Sequence, residues 1–388
     1  MCMIHRIDWC QLQLNRLGSV VGRIQFMGKK NSNGVLAYVA ILLVGLTVYS
    51  IGAMCYAESR PELPCPRRIT SIVIDPEHPD TVYFSRRNNG GGVYKTTDGG
   101  ANWRKVYKIL NIEGPMAIDT KMPNIVYARH IRSTDSGENW IQRWGDSMII
   151  SPIYELVINP HNPAMLYIAA KKGLYRSNDS SKTWMVISDE KLGVCRAFAI
   201  DASNPEVLYA YFGKETRNIY GNVAGTTGEI YKSVDSGANW TSIMPTTDIT
   251  KLIVDPSNTA IIYAGTIQQG IYRSVDGGKQ WENIKQGLPA QRQVSVLVID
   301  PVNPKMIYAG TDVGVFISTD RGDNWRSTST GLPRSVAVHA LAVNPKNTNI
   351  IYVGTFGYGI YKSIDGGEKW EPVNTGIPCD DYESSKWW

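Results

Sequence analysis

At 388 residues, with 43% hydrophobic and 19% charged side chains, the chain has the composition of a folded protein and not of a disordered one. The formal charge of +5 is concentrated near the N-terminus, where Arg6, Arg16, Arg23, Lys29 and Lys30 face only Asp8; the rest is nearly balanced, which excludes the basic face of a nucleic-acid binder. Six cysteines without a C-x-x-C or C-x-x-C-H pattern exclude metal-ribbon, thioredoxin-like and c-type haem signatures.

In chain order, residues 1–57 read as a leader. Its apolar core, residues 35–54, carries no charge and follows Lys29-Lys30, the pattern of a signal peptide or an uncleaved membrane anchor. The basic residues on its N-terminal side predict that the rest of the chain lies outside the cytoplasm. Met27 makes a natural start for such a signal. A linker, residues 58–68, comes next, then a repeat region over residues 69–375 and a C-terminal tail over residues 376–388.

The pattern Ser/Thr-x-Asp-x-Gly-x-x-Trp occurs at 96–103, 133–140, 233–240, 274–281, 318–325 and 363–370, and a seventh copy at 177–184 has Ser181 in place of the glycine. Upstream of each copy stands a short apolar run ending at Asp or Asn, usually followed by Pro, and then a second apolar run containing Tyr. A third run enters the pattern and a fourth leaves from its Trp. Each unit is therefore predicted to be a four-stranded antiparallel meander, a to d. One such sheet cannot bury both faces alone, whereas seven packed radially can. The predicted fold is all-β, a seven-bladed propeller, with innermost strands that read as nearly continuous apolar runs. The first unit starts on strand a and the last ends on strand d, so no strand is left over to close the ring by exchange. A disulfide between Cys65 and Cys379, which bracket the repeats, could supply the closure instead. Cys195 sits in an apolar strand and is expected to be a buried thiol.

These boxes resemble those of the Asp-box (BNR-repeat) propellers, a group that includes sialidases, xyloglucan-degrading hydrolases, sortilin-type receptors and photosystem II assembly factors. The resemblance covers about residues 69–375. It implies that Asp98, Asp135, Asp179, Asp235, Asp276, Asp320 and Asp365 lie in the c–d turns, away from the binding face, as structural pins. The side-chain chemistry agrees: Asp and Ser/Thr can bond turn amides, and Trp can fill the gap between sheets. Arg321-Gly322-Asp323 falls inside a box and is read as part of its turn. No box continues into a calcium loop, and neither metal nor cofactor is expected.

Function is then expected on the opposite face, where the d–a and b–c connections meet. Alignment of the innermost strands places Thr70, Gly114, Tyr154, Arg196, Thr250, Ser295 and His339 at one level. Glu155 and Lys251 fall at the next level, above a wholly apolar one. The candidate binding rim is Tyr154, Glu155, Arg196, Lys251 and His339. The candidate partner loops are the blade-one turn, with Arg86, Arg87 and Asn88, and the long blade-four insertion from Tyr211 to Glu229, with Lys214, Arg217 and Tyr220. With one rim carboxylate, the expectation is a chain that is non-catalytic by itself, docking onto other protein subunits and touching a membrane only through its N-terminal segment. In plan it is similar to the cofactor-free propeller subunit of hydrazine synthase. The alternative is a carbohydrate-active enzyme, sialidase-like or another glycoside hydrolase, using Glu155 with Arg196, Arg292 and Arg334. Its second carboxylate would come from Asp189 or Asp248 on loops. The xyloglucan enzymes use two propellers, and this chain has one.

Overall fold

The computed structural model describes residues 68–87, 91–108, 114–143, 152–217 and 223–378, all within the compact unit Cys65–Trp388. The leader, Cys65, Cys379, Asn88 and Tyr220 lie outside the described residues.

Local chemistry builds each blade in the same way. At the end of strand a, an Asp or Asn side chain closes the turn to strand b. Asp75 Oδ1 accepts the amides of Glu77 and His78 at 2.8 and 2.9 Å, and Asp300 does the same for Val302 and Asn303. Strand b then runs back antiparallel, and strand c leads into the Asp-box. In the first box, Thr96 Oγ1 accepts the Gly100 amide at 3.1 Å and donates to Asp98, whose carboxylate also takes the backbone and side-chain N–H groups of Asn102 at 2.9 Å. The box thereby replaces the backbone bonds that a tight c–d turn cannot make.

Seven four-stranded antiparallel sheets result, each in sequence order, as the repeats predict. The innermost strands are Arg68–Ile74, Met116–Ile118, Ile153–Ile158, Val194–Ile200, Ile249–Val254, Val294–Ile299 and Val338–Val343. These strands, expected as nearly continuous apolar runs, mix buried and partly buried positions. Strand b is the buried one: Leu166–Ala170, Ile262–Thr266, Ile307–Thr311 and Ile351–Thr355 are buried at every position. The reason is geometric, since both faces of strand b are covered by neighbouring blades, whereas strand a also borders the central channel.

Trp103, Trp240, Trp325 and Trp370 bond to the preceding blade, whereas Trp140 and Trp281 donate to a carbonyl of their own box. Trp325 Nε1 donates to the Ile284 carbonyl of the preceding blade at 3.0 Å, and its backbone amide donates to Gln286 at 2.8 Å. Ring closure uses this same device: Trp103 Nε1 donates to Val373 at 2.8 Å and its amide to Thr375 at 2.9 Å. The first and last blades share one core, in which Ile69, Phe84 and Trp103 pack with Tyr352, Ile360 and Ile377. The ring thus closes through an ordinary blade interface. Cys195 is a buried free thiol, and burial pushes its pKa well up.

Candidate functional site

The innermost strands do not run evenly into the channel. A β-bulge interrupts the pairing of strands a and b in six blades, and the extra residue is in turn Thr70, Tyr154, Arg196, Thr250, Ser295 and His339. These are the residues that the sequence alignment places at one level of the rim. A bulge leaves its residue unpaired and re-aims the side chain, and bulges are over-represented beside functional sites. Blade two pairs Met116 with Ala128 without a bulge, and Gly114 stands at its rim level. A Cβ on Gly114 would meet the Arg129 Cβ at 3.3 Å, so the Arg129 side chain occupies the place that Gly114 vacates.

The bulged residues surround a central cavity of about 950 Å³, open at the face where the d–a and b–c connections lie. Tyr154, Glu155, Arg196, Lys251 and His339 all line it, so the five candidate rim residues come together as expected. Glu155 is buried, and Lys251 Nζ reaches both of its oxygens at 2.8 and 2.9 Å. The two residues sit on blades three and five. Arg196 lies over the Tyr154 ring, 5.5 Å from its centroid. Burial, reinforced by Arg68, lowers the His339 pKa to about 4, so its imidazole is neutral near pH 7. The His339 ring meets Phe356 edge-on at 6.1 Å.

Arg68 and Arg129, which the sequence did not single out, join this site, and Arg87 lines the cavity from the end of strand b while Arg129 does so from a b–c turn. Phe356 and Tyr358, on the blade-seven b–c turn of the same face, are 56% and 39% exposed; neither lines the cavity, and Phe356 adjoins it through its contact with His339. Neither Asp189 nor Asp248 lines the central cavity. Asp189 caps the short 3-10 turn Glu190–Leu192 and borders a separate groove, while the Asp248 amide donates to the Tyr211 hydroxyl. Arg292 pairs with Asp312, and like Arg334 it does not line the cavity.

Two of the proposed partner-loop residues are corrected outright. Arg86 is 1% exposed and donates to the Pro378 carbonyl at 3.1 Å, fastening the end of the last blade to the first. Tyr211 is fully buried. The blade-four insertion is no irregular loop, because it extends strands b and c into the long hairpin Leu208–Arg217 and Val223–Ser233. Arg87 and Lys214 are exposed, and only the backbone of Arg217 is described. The box aspartates are confirmed as turn-closing groups: hydrogen bonding holds Asp98, Asp135, Asp179 and Asp235 at about 2, with Thr96, Asn139, Thr183 and Asn239 respectively supplying the leading bond.

With this geometry in place, comparison with known proteins turns the functional reading. A xyloglucanase of Acetivibrio thermocellus is 27% identical over 227 residues, 55% of this chain and 25% of that enzyme. The chain thus spans about a quarter of the length of this curated relative. A family model described as sortilin, neurotensin receptor 3, matches residues 269–385. Among solved structures, a xyloglucanase from Xanthomonas campestris superposes with a TM-score of 0.63 at 16% identity, over 81% of this chain and 55% of that one. The YCF48 protein of Cyanidioschyzon merolae does so with a TM-score of 0.53 at 14% identity, over 78% and 96%. The two superpositions establish a shared propeller fold. The sequence match to a xyloglucanase overturns the expectation of a non-catalytic subunit of a larger complex such as hydrazine synthase, and it favours the carbohydrate-active alternative.

Proposed function

We propose that this protein is a carbohydrate-active enzyme of the glycoside-hydrolase kind, with its glycan held at the mouth of the central funnel. The observation that carries the proposal is the 227-residue match to a xyloglucanase. The funnel supplies suitable chemistry. Exposed Phe356 and Tyr358 offer flat apolar surfaces for sugar rings, and the bulged polar rim offers convergent groups for hydroxyls. Glycoside hydrolysis commonly uses two carboxylates, and Glu155 is the one on the described cavity wall. Lys251 fixes the position of the Glu155 carboxylate on the cavity wall. Export belongs to the same proposal. The uncharged stretch 35–54 behind Lys29-Lys30 would deliver the propeller to the compartment where polysaccharides are met.

The test is turnover. The full chain is incubated with xyloglucan and with a panel of neutral and acidic polysaccharides, and new chain ends are counted by chromatography. Activity on at least one member is expected, with a loss of about 100-fold or more in Glu155→Gln. No turnover across the panel, or full activity in Glu155→Gln, would refute the assignment.

A further inference from the structure

The funnel wall changes character with depth. At the mouth stand the bulged residues, and one residue further in Glu155 and Lys251 meet on the wall. Two residues beyond that level every innermost strand is aliphatic, with Val73, Val157, Ile253 and Val298 in four blades and alanine in the other three. The four larger side chains are partly exposed although neighbouring blades cover both faces of their strands, so the exposed part of each borders the channel. Val157 and Val298 line the cavity, and in blade six Val296 does so one level higher. A strand rises about 3.3 Å per residue, which sets the aliphatic level about 7 Å below the ion pair.

The two levels suit different parts of one occupant. A carboxylate and an ammonium on a cavity wall bond hydroxyls, which a sugar ring presents. Water beside aliphatic walls finds few hydrogen-bond partners, and an apolar group that displaces it gains affinity. A plain sugar fills the first level and leaves the second to water. At about 950 Å³ the cavity lies at the upper end of ligand pockets, with room for a sugar ring and a further group.

We propose that the funnel selects sugars that carry a hydrocarbon group, as an aglycone or as an acyl ester. The ring is held at Glu155 and Lys251, and the hydrocarbon lies against Val157, Val296 and Val298. This names the substrate class of the carbohydrate site given above and rests on that reading. The valines act here in substrate selection.

Isothermal titration calorimetry on the full chain tests the proposal with methyl and hexyl β-D-glucoside, and with 6-O-hexanoyl-glucose as the acyl probe. A methyl group stops short of the aliphatic level, whereas a six-carbon chain reaches it. The tighter of the two six-carbon probes is expected to bind about ten-fold more strongly than methyl glucoside or better, since each buried methylene contributes about three-fold. Which of the two is tighter identifies where the hydrocarbon is attached. Val298→Thr keeps the side-chain shape and adds a hydroxyl to the aliphatic level, so the ratio of six-carbon to methyl affinity should shrink about three-fold or more. If Val298→Thr fails to fold by circular dichroism, Val296→Ala supplies the same readout. Equal affinity for the methyl and six-carbon probes overturns the proposal and leaves the carbohydrate reading standing, as does failure of all three probes to bind where xyloglucan binds. Binding of none of them, xyloglucan included, removes both. Binding of 1-hexanol as tight as that of hexyl glucoside also overturns the proposal, because the sugar then adds nothing.

Discussion

Lys251→Met is the sharpest structural perturbation of the funnel, because it leaves the Glu155 carboxylate facing the site without its ammonium. The Lys251 side chain is 24% exposed and that of Glu155 11%, so the pair lies between two known regimes. Exposed ion pairs are worth about 0–1 kcal/mol, whereas stripping one partner from a buried pair costs about 3–5 kcal/mol. With part of both groups reached by channel water, a cost of about 2 kcal/mol is expected for Lys251→Met. Replacing both residues, as Glu155→Gln with Lys251→Met, should return about half of that or more, since no uncompensated charge remains. Urea unfolding followed by fluorescence of the box tryptophans gives both values from the transition midpoints. A Lys251→Met variant within about 0.5 kcal/mol of the parent would refute the reasoning, as would a double variant less stable than both single ones.

Two further predictions concern pH. The folded-state pKa of about 2 at Asp98, Asp135, Asp179 and Asp235 lies below the ordinary 3.8, so these groups contribute stability that is present above pH 4 and lost as pH falls towards 2. Melting temperatures should therefore drop through that window, less steeply in Asp98→Asn; an unchanged slope in the variant would count against the turn-closing role. His339 is held at about 4 by burial and then by Arg68, so the unfolded chain takes up a proton that the folded one refuses between pH 6.5 and 4. Stability should decline as pH falls through that window, and the imidazole resonances should titrate near 4, rising in Arg68→Gln; a midpoint near 6.5 would contradict the buried, neutral ring.

The repeat architecture was legible because its chemistry is local. An Asp that closes a turn and a Trp that follows it recur at nearly fixed offsets, and alignment on the Asp/Asn turn put Tyr154, Arg196 and His339 at one level. The bulges that turn those residues inward were not legible, because an extra residue in one strand leaves no mark on the hydrophobic pattern. Nor could the sequence distinguish Arg86 from Arg87. They are neighbours in one strand, yet pleating sends the first under the Pro378 carbonyl and the second to the cavity. Arg129 was hidden for a related reason, since only the missing Cβ of Gly114 makes room for it. The functional expectation failed at a different point. A count of rim carboxylates argued against catalysis, but it carried no information about exposed aromatic surfaces such as Phe356, which lies about 285 residues from blade one in the chain and adjoins it through ring closure.

The most direct test of the central claim is a crystal structure of the full chain with a bound oligosaccharide. The account predicts a sugar ring at the funnel mouth, against Phe356 or Tyr358 and within hydrogen-bond reach of Arg196 and the Glu155–Lys251 pair. Sugar bound only on the Asp-box face or along the outer strands, with the funnel empty, would contradict it.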